Sequence, residues 1–257
     1  GGLANDSHGE LHVTGTAVFS NTAWEVAGGL VNNSADVTLT NVTISGNTAL
    51  ESVGGIWNNG GTLTAWNTTI TENTAPRAGG VSTAGGFARF GNSIIGGNVA
   101  TSVKRNVEGT FTSLGNNLAG IGNWRTYSYQ SWTPDATGFD NNDNVYSVWS
   151  DVAPPDLHLG PLQDNGGGVP THALLPGSPA INSGTADGAP ALDQRNIRRK
   201  DIPDVGAFEV SVRQARDGVV RIRAEHDGTS TTRDGIPDTF SLRRHGDVLE
   251  VGINDTL

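Results

Sequence analysis

The chain of 257 residues carries 26 acidic and 16 basic residues, which gives a net charge of −10. This charge argues against nucleic acid or an anionic membrane as a partner, because phosphate binding needs clustered lysine and arginine. The absence of cysteine excludes disulfides, thiol nucleophiles and cysteine-ligated metals. No apolar run reaches the length of a membrane-spanning helix, so we predict no membrane insertion within this fragment.

Residues 1–120 contain a repeat whose glycine pairs begin at Gly28, Gly54 and Gly79, at spacings of 26 and 25. A fixed period of this length indicates a solenoid, in which each unit buries its core only against its neighbours. No window shows the apolar spacing of a helix, whereas residues 37–44 alternate in the manner of a strand. The repeat therefore predicts an all-β fold, a parallel β-helix with one rung of about 25 residues per repeat.

An asparagine recurs at one position of the repeat, at Asn21, Asn47, Asn73 and Asn98. A side-chain amide can both donate and accept, so stacked asparagines can hydrogen-bond to the residues above and below them. We predict that these four residues form an internal structural ladder and have no catalytic role. Residues 1–3 already have the form of a rung opening, so further rungs or a cap are expected upstream.

The period ends at residue 121, and residues 121–150 form an insertion that is rich in aromatic, aspartate and asparagine residues. Aromatic faces can stack on sugar rings, which makes glycan-binding candidates of Trp124, Tyr127, Tyr129 and Trp132. Asp140 and Asp143 offer oxygen ligands suited to Ca²⁺, although the full EF-hand pattern is absent. The alternative is that the aromatic residues cover the solenoid. No cofactor other than this Ca²⁺ is predicted.

Residues 151–209 contain the segments DLHLGPLQDNGG at 156–167, THALLPGSPAINSG at 171–184, DQR at 193–195 and DVGAFE at 204–209. These segments resemble the C-terminal signature of the choice-of-anchor Q family, whose members are bacterial, right-handed parallel β-helix surface proteins. The rungs are also similar to repeats of chlamydial polymorphic outer membrane proteins. The resemblance implies a right-handed β-helix at an extracellular or bacterial cell-surface location, and it supplies no catalytic residues.

The same region is rich in proline, with Pro161, Pro170, Pro176 and Pro179. Proline withholds a backbone donor, so residues 151–209 are predicted to form the closing coils of the β-helix. The basic residues of 195–200 are balanced by nearby aspartates, which favours a salt-bridged turn over an anion site. His158 and His172 are predicted to be structural or solvated.

In residues 210–257, apolar and polar residues alternate in the manner of strands on both sides of an Asp-Gly turn at 234–235. This pattern predicts a partial β module, which we expect to be truncated. Residues 238–251 resemble a module of planctomycete surface proteins.

A β-helix enzyme needs convergent carboxylates, or a base beside bound Ca²⁺, on adjacent rungs. Charged residues of 28–100 do not recur at rung spacing. We therefore predict a non-catalytic extracellular structural or adhesive protein, a fragment of a larger bacterial surface or filament protein. Its expected partners are glycans or other surface-protein subunits. The alternatives are a polysaccharide lyase or glycoside hydrolase with its site near 121–150, and a calcium-stabilised adhesin.

Overall fold

The computed structural model describes residues 1–101, 106–125, 132–134, 136–148, 156–211, 239–245 and 248–254. The chain forms two compact units, residues 1–215 and residues 216–257. The described strands are β1 (Leu3–Asp6), β2 (Glu10–Phe19), β3 (Thr22–Ala23), β4 (Leu30–Asn33), β5 (Asp36–Ser45), β6 (Thr48–Ala49), β7 (Ile56–Asn59), β8 (Thr62–Trp66), β9 (Thr69–Thr71), β10 (Thr74–Ala75), β11 (Val81–Thr83), β12 (Phe87–Gly91), β13 (Ile94–Ile95), β14 (Val99–Ala100), β15 (Val107–Thr110), β16 (Thr112–Gly115), β17 (Leu118–Arg125), β18 (Trp132–Pro134), β19 (Ala136–Thr137), β20 (Asn144–Val148), β21 (Leu159–Gln163), β22 (Thr171–Leu174), β23 (Thr239–His245) and β24 (Val248–Asn254).

The first unit is built around a parallel β-solenoid of about five turns. One sheet has the order β1-β4-β7-β11-β15-β19, a second has the order β14-β10-β6-β3, and the third contains β2, β5, β8, β12 and their neighbours. Corresponding residues of adjacent rungs pair in parallel, for example Leu30 with Ile56 and Ile56 with Val81. The predicted all-β, parallel β-helix fold is therefore confirmed.

Stacked apolar side chains fill the interior of the solenoid. Leu30, Ile56 and Val81 form one fully buried column, and burial of such a side chain is worth about 1.5–3 kcal/mol. Leu39, Ala65 and Phe90 of three successive rungs are in register and form another column. In this column, large and small side chains alternate from one rung to the next. The rings of Phe90 and Phe111 lie 5.9 Å apart and those of Phe111 and Phe139 lie 5.2 Å apart, which continues the core into the later rungs.

A sharp corner recurs in every described rung of the third sheet. Its residue has a positive φ, between 47° and 58°, and is Gly15, Asn41, Asn67, Asn92, Asn116 or Asn142. Asparagine tolerates this left-handed conformation better than other residues with a side chain. Asn67, for example, separates β8 from β9. We call the four residues Asn41, Asn67, Asn92 and Asn116 the corner asparagines.

Residues 156–211, which we call the flank segment, lie along the side of the solenoid. The segment contains one antiparallel hairpin, β21 with β22. All four corner asparagines donate their side-chain amides to its carbonyl groups: Asn41 to Leu192 at 2.7 Å, Asn67 to Asp204 at 3.3 Å, Asn92 to Thr185 at 2.7 Å and Asn116 to Ser183 at 3.0 Å. The segment therefore spans four rungs.

This placement differs from the closing coils that the sequence predicted for residues 151–209. The predicted closing coils would end the strand stacking at the end of the β-helix, whereas the flank segment bonds to side-chain amides on the lateral surface of existing rungs. A second apolar cluster seals the junction, where Ile94 and Leu118 of the solenoid pack with Leu174, Val205 and Phe208. The prolines suit this arrangement, because their missing donors matter less outside a ladder.

In the second unit the described residues form one antiparallel hairpin, in which β23 and β24 pair from Thr239 with Asn254 to His245 with Val248. Across the described ranges, no helix is long and apolar enough to cross a membrane.

Candidate functional site

The four asparagines of the repeat lie one above another inside the solenoid. The Nδ2 atoms of Asn21, Asn47 and Asn73 each donate to the Oδ1 atom of the next asparagine, at 2.9 Å in every case. The column then continues from Asn98 Nδ2 to Asn106 Oδ1 at 3.2 Å. The sequence analysis missed Asn106, because it follows Asn98 by only eight residues and so falls outside the repeat period.

The side chains of Asn47, Asn73 and Asn98 in this asparagine ladder also donate to backbone carbonyl groups. Asn47 Nδ2 donates to Val18 O at 2.9 Å, and Asn73 Nδ2 donates to Ile44 O at 2.9 Å. The Oδ1 atom of Asn73 accepts a second bond, from the backbone N–H of Asn47 at 3.0 Å. Asn47 and Asn73 are fully buried. Their polar atoms are thus engaged in joining rungs and are not accessible to a ligand.

A second polar ladder runs beside the corner residues and ends at a proposed Ca²⁺ ligand. Ser93 N donates to Asn117 Oδ1 at 3.0 Å, and Asn117 donates to Asp143 Oδ1 from its backbone N at 2.7 Å and from Nδ2 at 3.0 Å. The buried Oδ2 atom of Asp143 has no hydrogen-bond partner within the described ranges. One oxygen of Asp143 therefore joins rungs, in the same way as the asparagine side chains.

The second proposed Ca²⁺ ligand, Asp140, is exposed. Among the residues that the structure describes, no three His, Asp or Glu side chains are grouped as metal ligands. Ca²⁺ binding by Asp140 and Asp143 stays a prediction.

The proposed aromatic glycan site falls largely outside the described residues. This is the case for Tyr127 and Tyr129, and for the side chains of Trp124 and Trp132. The backbones of the two tryptophans lie on β17 and β18, where Trp124 pairs with Thr133 and Trp132 pairs with Arg125. The two strands thus bring both tryptophans to one antiparallel pair, at neighbouring register positions. Glycan binding by these four residues stays a prediction.

A serine and a histidine meet where the flank segment contacts the solenoid. Ser45 Oγ lies 2.8 Å from His172 Nε2, and His172 Nδ1 lies 2.7 Å from the carbonyl oxygen of Gly160. A carbonyl only accepts, so Nδ1 carries a proton, and the Nε2 atom shares a hydrogen bond with the Ser45 hydroxyl, which also lies 3.4 Å from Glu72 Oε2. This is the geometry of a nucleophile and its base. However, Ser45 is fully buried and His172 is 2% exposed. Because a substrate could not reach them, the pair instead attaches the flank segment to β5.

Charged residues of the flank segment form a buried network. Asp193 accepts two bonds from the Arg195 guanidinium, at 2.9 and 2.7 Å, and Arg195 also lies over the Phe208 ring at 3.5 Å. Arg199 Nη1 is 3.4 Å from Glu209 Oε2. Burial is the main cause that raises the pKa of Glu209 and lowers the pKa of Arg199. These charges therefore hold the segment together and are not presented to an external anion.

Arg199 and Lys200 also line a pocket of about 200 Å³ between residues 186–191 and 198–203. The Nη2 atom of Arg199 donates to Asn41 Oδ1 at 2.9 Å and to Gly206 O at 2.9 Å. Lys200 Nζ donates to Asn182 Oδ1 at 3.2 Å. The cationic groups of Arg199 and Lys200 are thus engaged by partners within the protein.

The outer side of the sheet β3–β6–β10–β14 presents a regular pattern of residues to solvent. In each of its first three strands the alanine is buried and the threonine before it faces outward. Two columns run across the rungs. The first contains Thr22, Thr48, Thr74 and Val99, and the second contains Trp24, Leu50, Pro76 and Thr101. We call these eight residues the threonine–tryptophan face.

Comparison of the whole chain with protein families, curated proteins and solved structures found no match. The fold defines the first unit as a parallel β-solenoid.

Proposed function

We propose that the chain is a non-catalytic structural or adhesive β-solenoid, and part of a larger bacterial surface or filament protein. The asparagine ladder is the observation that carries this proposal. The polar side chains that recur at one position of the repeat, such as Asn47 and Asn73, are buried and hydrogen-bonded to each other and to the backbone. Such an interior supports a long, stiff rod and leaves the outer surface for contacts.

The distribution of charge supports a structural role for the rungs. Between residues 28 and 100 the charged residues are Asp36, Glu51, Glu72, Arg77 and Arg89. Arg77 is paired with Glu108 through two bonds, at 2.8 and 2.9 Å. Glycosidase chemistry requires two carboxyl groups about 5–9.5 Å apart around one bond, and charges dispersed in this way along the rungs favour a scaffold.

Membership of the choice-of-anchor Q family is part of the proposal, and it rests on the motifs of the flank segment. Asp193, Arg195, Asp204 and Glu209 belong to those motifs and are buried in the ionic network. The motif residues therefore stabilise the structure of the flank segment. Such a motif is expected in a family whose members share a fold but no catalytic activity. The extracellular or cell-surface location follows from this resemblance, as do surface-protein subunits as partners.

The test separates binding from catalysis. Purified protein is incubated with neutral and acidic polysaccharides, and both the protein retained on the polymer and the release of new reducing or unsaturated sugar ends are measured. Retention, or self-association into filaments, without release of sugar ends is the expected result. Release of sugar ends in proportion to protein concentration would overturn the proposal.

A further inference from the structure

The threonine–tryptophan face presents two kinds of chemistry in parallel columns. Trp24 is 73% exposed, Leu50 is 49% exposed and Val99 is 51% exposed, so the face offers apolar surface to solvent. The hydroxyl groups of Thr22, Thr48 and Thr74 form no hydrogen bond within the described part of the chain. Because strands of one sheet stack about 4.8 Å apart, these groups repeat at that interval along the axis.

The charges around the face define what it can accept. Its eight residues are uncharged, and Glu25 and Glu51 border the column of Trp24 and Leu50. Glu72 lies on the other side, two residues before Thr74, with a side chain that is 57% exposed. Arg77 is next to Pro76, but its guanidinium is paired with Glu108. An anionic polymer would be repelled by the carboxylates, whereas a neutral one would not.

We propose that the threonine–tryptophan face binds a neutral polysaccharide extended along the solenoid axis. A sugar ring has an apolar face that stacks on an indole, and hydroxyl groups that exchange hydrogen bonds with threonine. A polymer of such rings repeats its hydroxyl groups along its length, as the threonine column does along the rungs, and Trp24 supplies one exposed aromatic surface for stacking. This inference rests on the proposed adhesive role and adds the ligand class and its surface, separate from the aromatic insertion at 121–150.

The experiment measures binding of the whole chain to soluble mixed-linkage β-glucan, mannan and chitin oligosaccharides, with alginate and polygalacturonate as anionic probes. Titrations are followed by calorimetry. Binding to at least one neutral probe and none to the anionic probes is expected. Trp24→Ala should weaken that binding about tenfold or more, as expected for the loss of an aromatic anchor. Leu50→Asp should weaken it similarly, because binding would remove water from an unpaired carboxylate in place of an apolar side chain.

Phe87→Ala is the matched control, because Phe87 is also an exposed aromatic residue, at 59% exposure, but lies on β12 of another sheet. It should leave the affinity unchanged. Circular dichroism of all variants confirms that they fold.

Four outcomes would overturn the inference, the last of them a change in oligomeric state. The first is the absence of binding to any neutral probe, and the second is preferential binding to the anionic probes. The third is unchanged affinity in Trp24→Ala. If affinity is lost instead in Trp124→Ala, the adhesive function stands and only the assigned surface is wrong. If sedimentation shows a dimer that Trp24→Ala dissociates, the face is an interface between copies, and the polysaccharide assignment fails.

Discussion

The asparagine ladder makes a strong prediction for Asn73, which is fully buried. Its Oδ1 accepts from the backbone N–H and the Nδ2 of Asn47, at 3.0 and 2.9 Å. Its Nδ2 lies 2.9 Å from each of Asn98 Oδ1, Ile44 O and Thr71 O, and its two hydrogens are shared among these three acceptors. Replacement by alanine removes all of these bonds from a region without access to solvent.

The expected cost of Asn73→Ala follows from the groups that lose their partner. The backbone N–H of Asn47 and the carbonyl of Ile44 are the main ones, and an unsatisfied buried polar group costs about 1–3 kcal/mol. Two such groups give a loss of about 4 kcal/mol in the free energy of unfolding. Urea denaturation followed by tryptophan fluorescence measures this loss directly.

The matched control is Asn59→Ala, because Asn59 belongs to an outer row of the solenoid. Its side chain is partly exposed and donates to Asn33 Oδ1 at 3.2 Å. Water can replace that bond, so the expected loss is below about 1 kcal/mol. If the two variants lost equal stability, the ladder would contribute nothing beyond an ordinary surface hydrogen bond, and the structural role given to it would be refuted.

Three further predictions concern the core, the flank segment and pH. Phe90→Ala should lower the free energy of unfolding by about 3–5 kcal/mol in the same denaturation assay, because the ring is fully buried. Gln194→Ala removes a 2.6 Å bond to Thr43, so amide hydrogen exchange should accelerate in the flank segment and not in the rungs. Burial raises the pKa of Glu209 above its ordinary 4.5, so the folded protein favours the protonated carboxyl. The resulting contribution to the free energy of unfolding is present below pH 4.5 and is lost as the pH rises through the raised pKa. The melting temperature of the wild type minus that of Glu209→Gln should therefore fall as the pH rises from about 4 to 8.

Each of these predictions has a contrasting outcome. Phe87→Ala, at an exposed position, should cost below about 0.5 kcal/mol, and an equal loss would deny the importance of the Phe90 column. Uniform acceleration of exchange across all rungs in Gln194→Ala would show that the flank segment does not open separately. For Glu209, a melting-temperature difference that is constant with pH would contradict the stated effect of burial.

The sequence was sufficient to predict the rungs, because their determinants recur at a constant interval. Asn47 and Asn73 occupy the same position of successive repeats, and in the structure they stack. The alternation of Val37, Leu39 and their neighbours likewise indicated strands whose apolar side faces inward. Local residue types and a period specify these features without knowledge of any distant contact.

The flank segment could not be placed in this way. Asn41 and Asn92 recur near the rung period, and this signal was visible in the sequence. Their partners Leu192 and Thr185 are 151 and 93 residues away, however, in a stretch without a repeat. Proline indicated that this stretch does not continue the ladder, but it did not indicate whether it would lie at the end or along the side. The contact between Ser45 and His172 was missed for the same reason.

The flank segment has a mechanical consequence for the solenoid. A plain stack of coils, pulled from one end, can peel away coil by coil, since each is tied only to its neighbours. Here one length of chain is fastened to four coils at once, through Asn41, Asn67, Asn92 and Asn116. Traction on one coil is thereby shared with the others, so this part of the rod should rupture as a single block in a force-extension experiment.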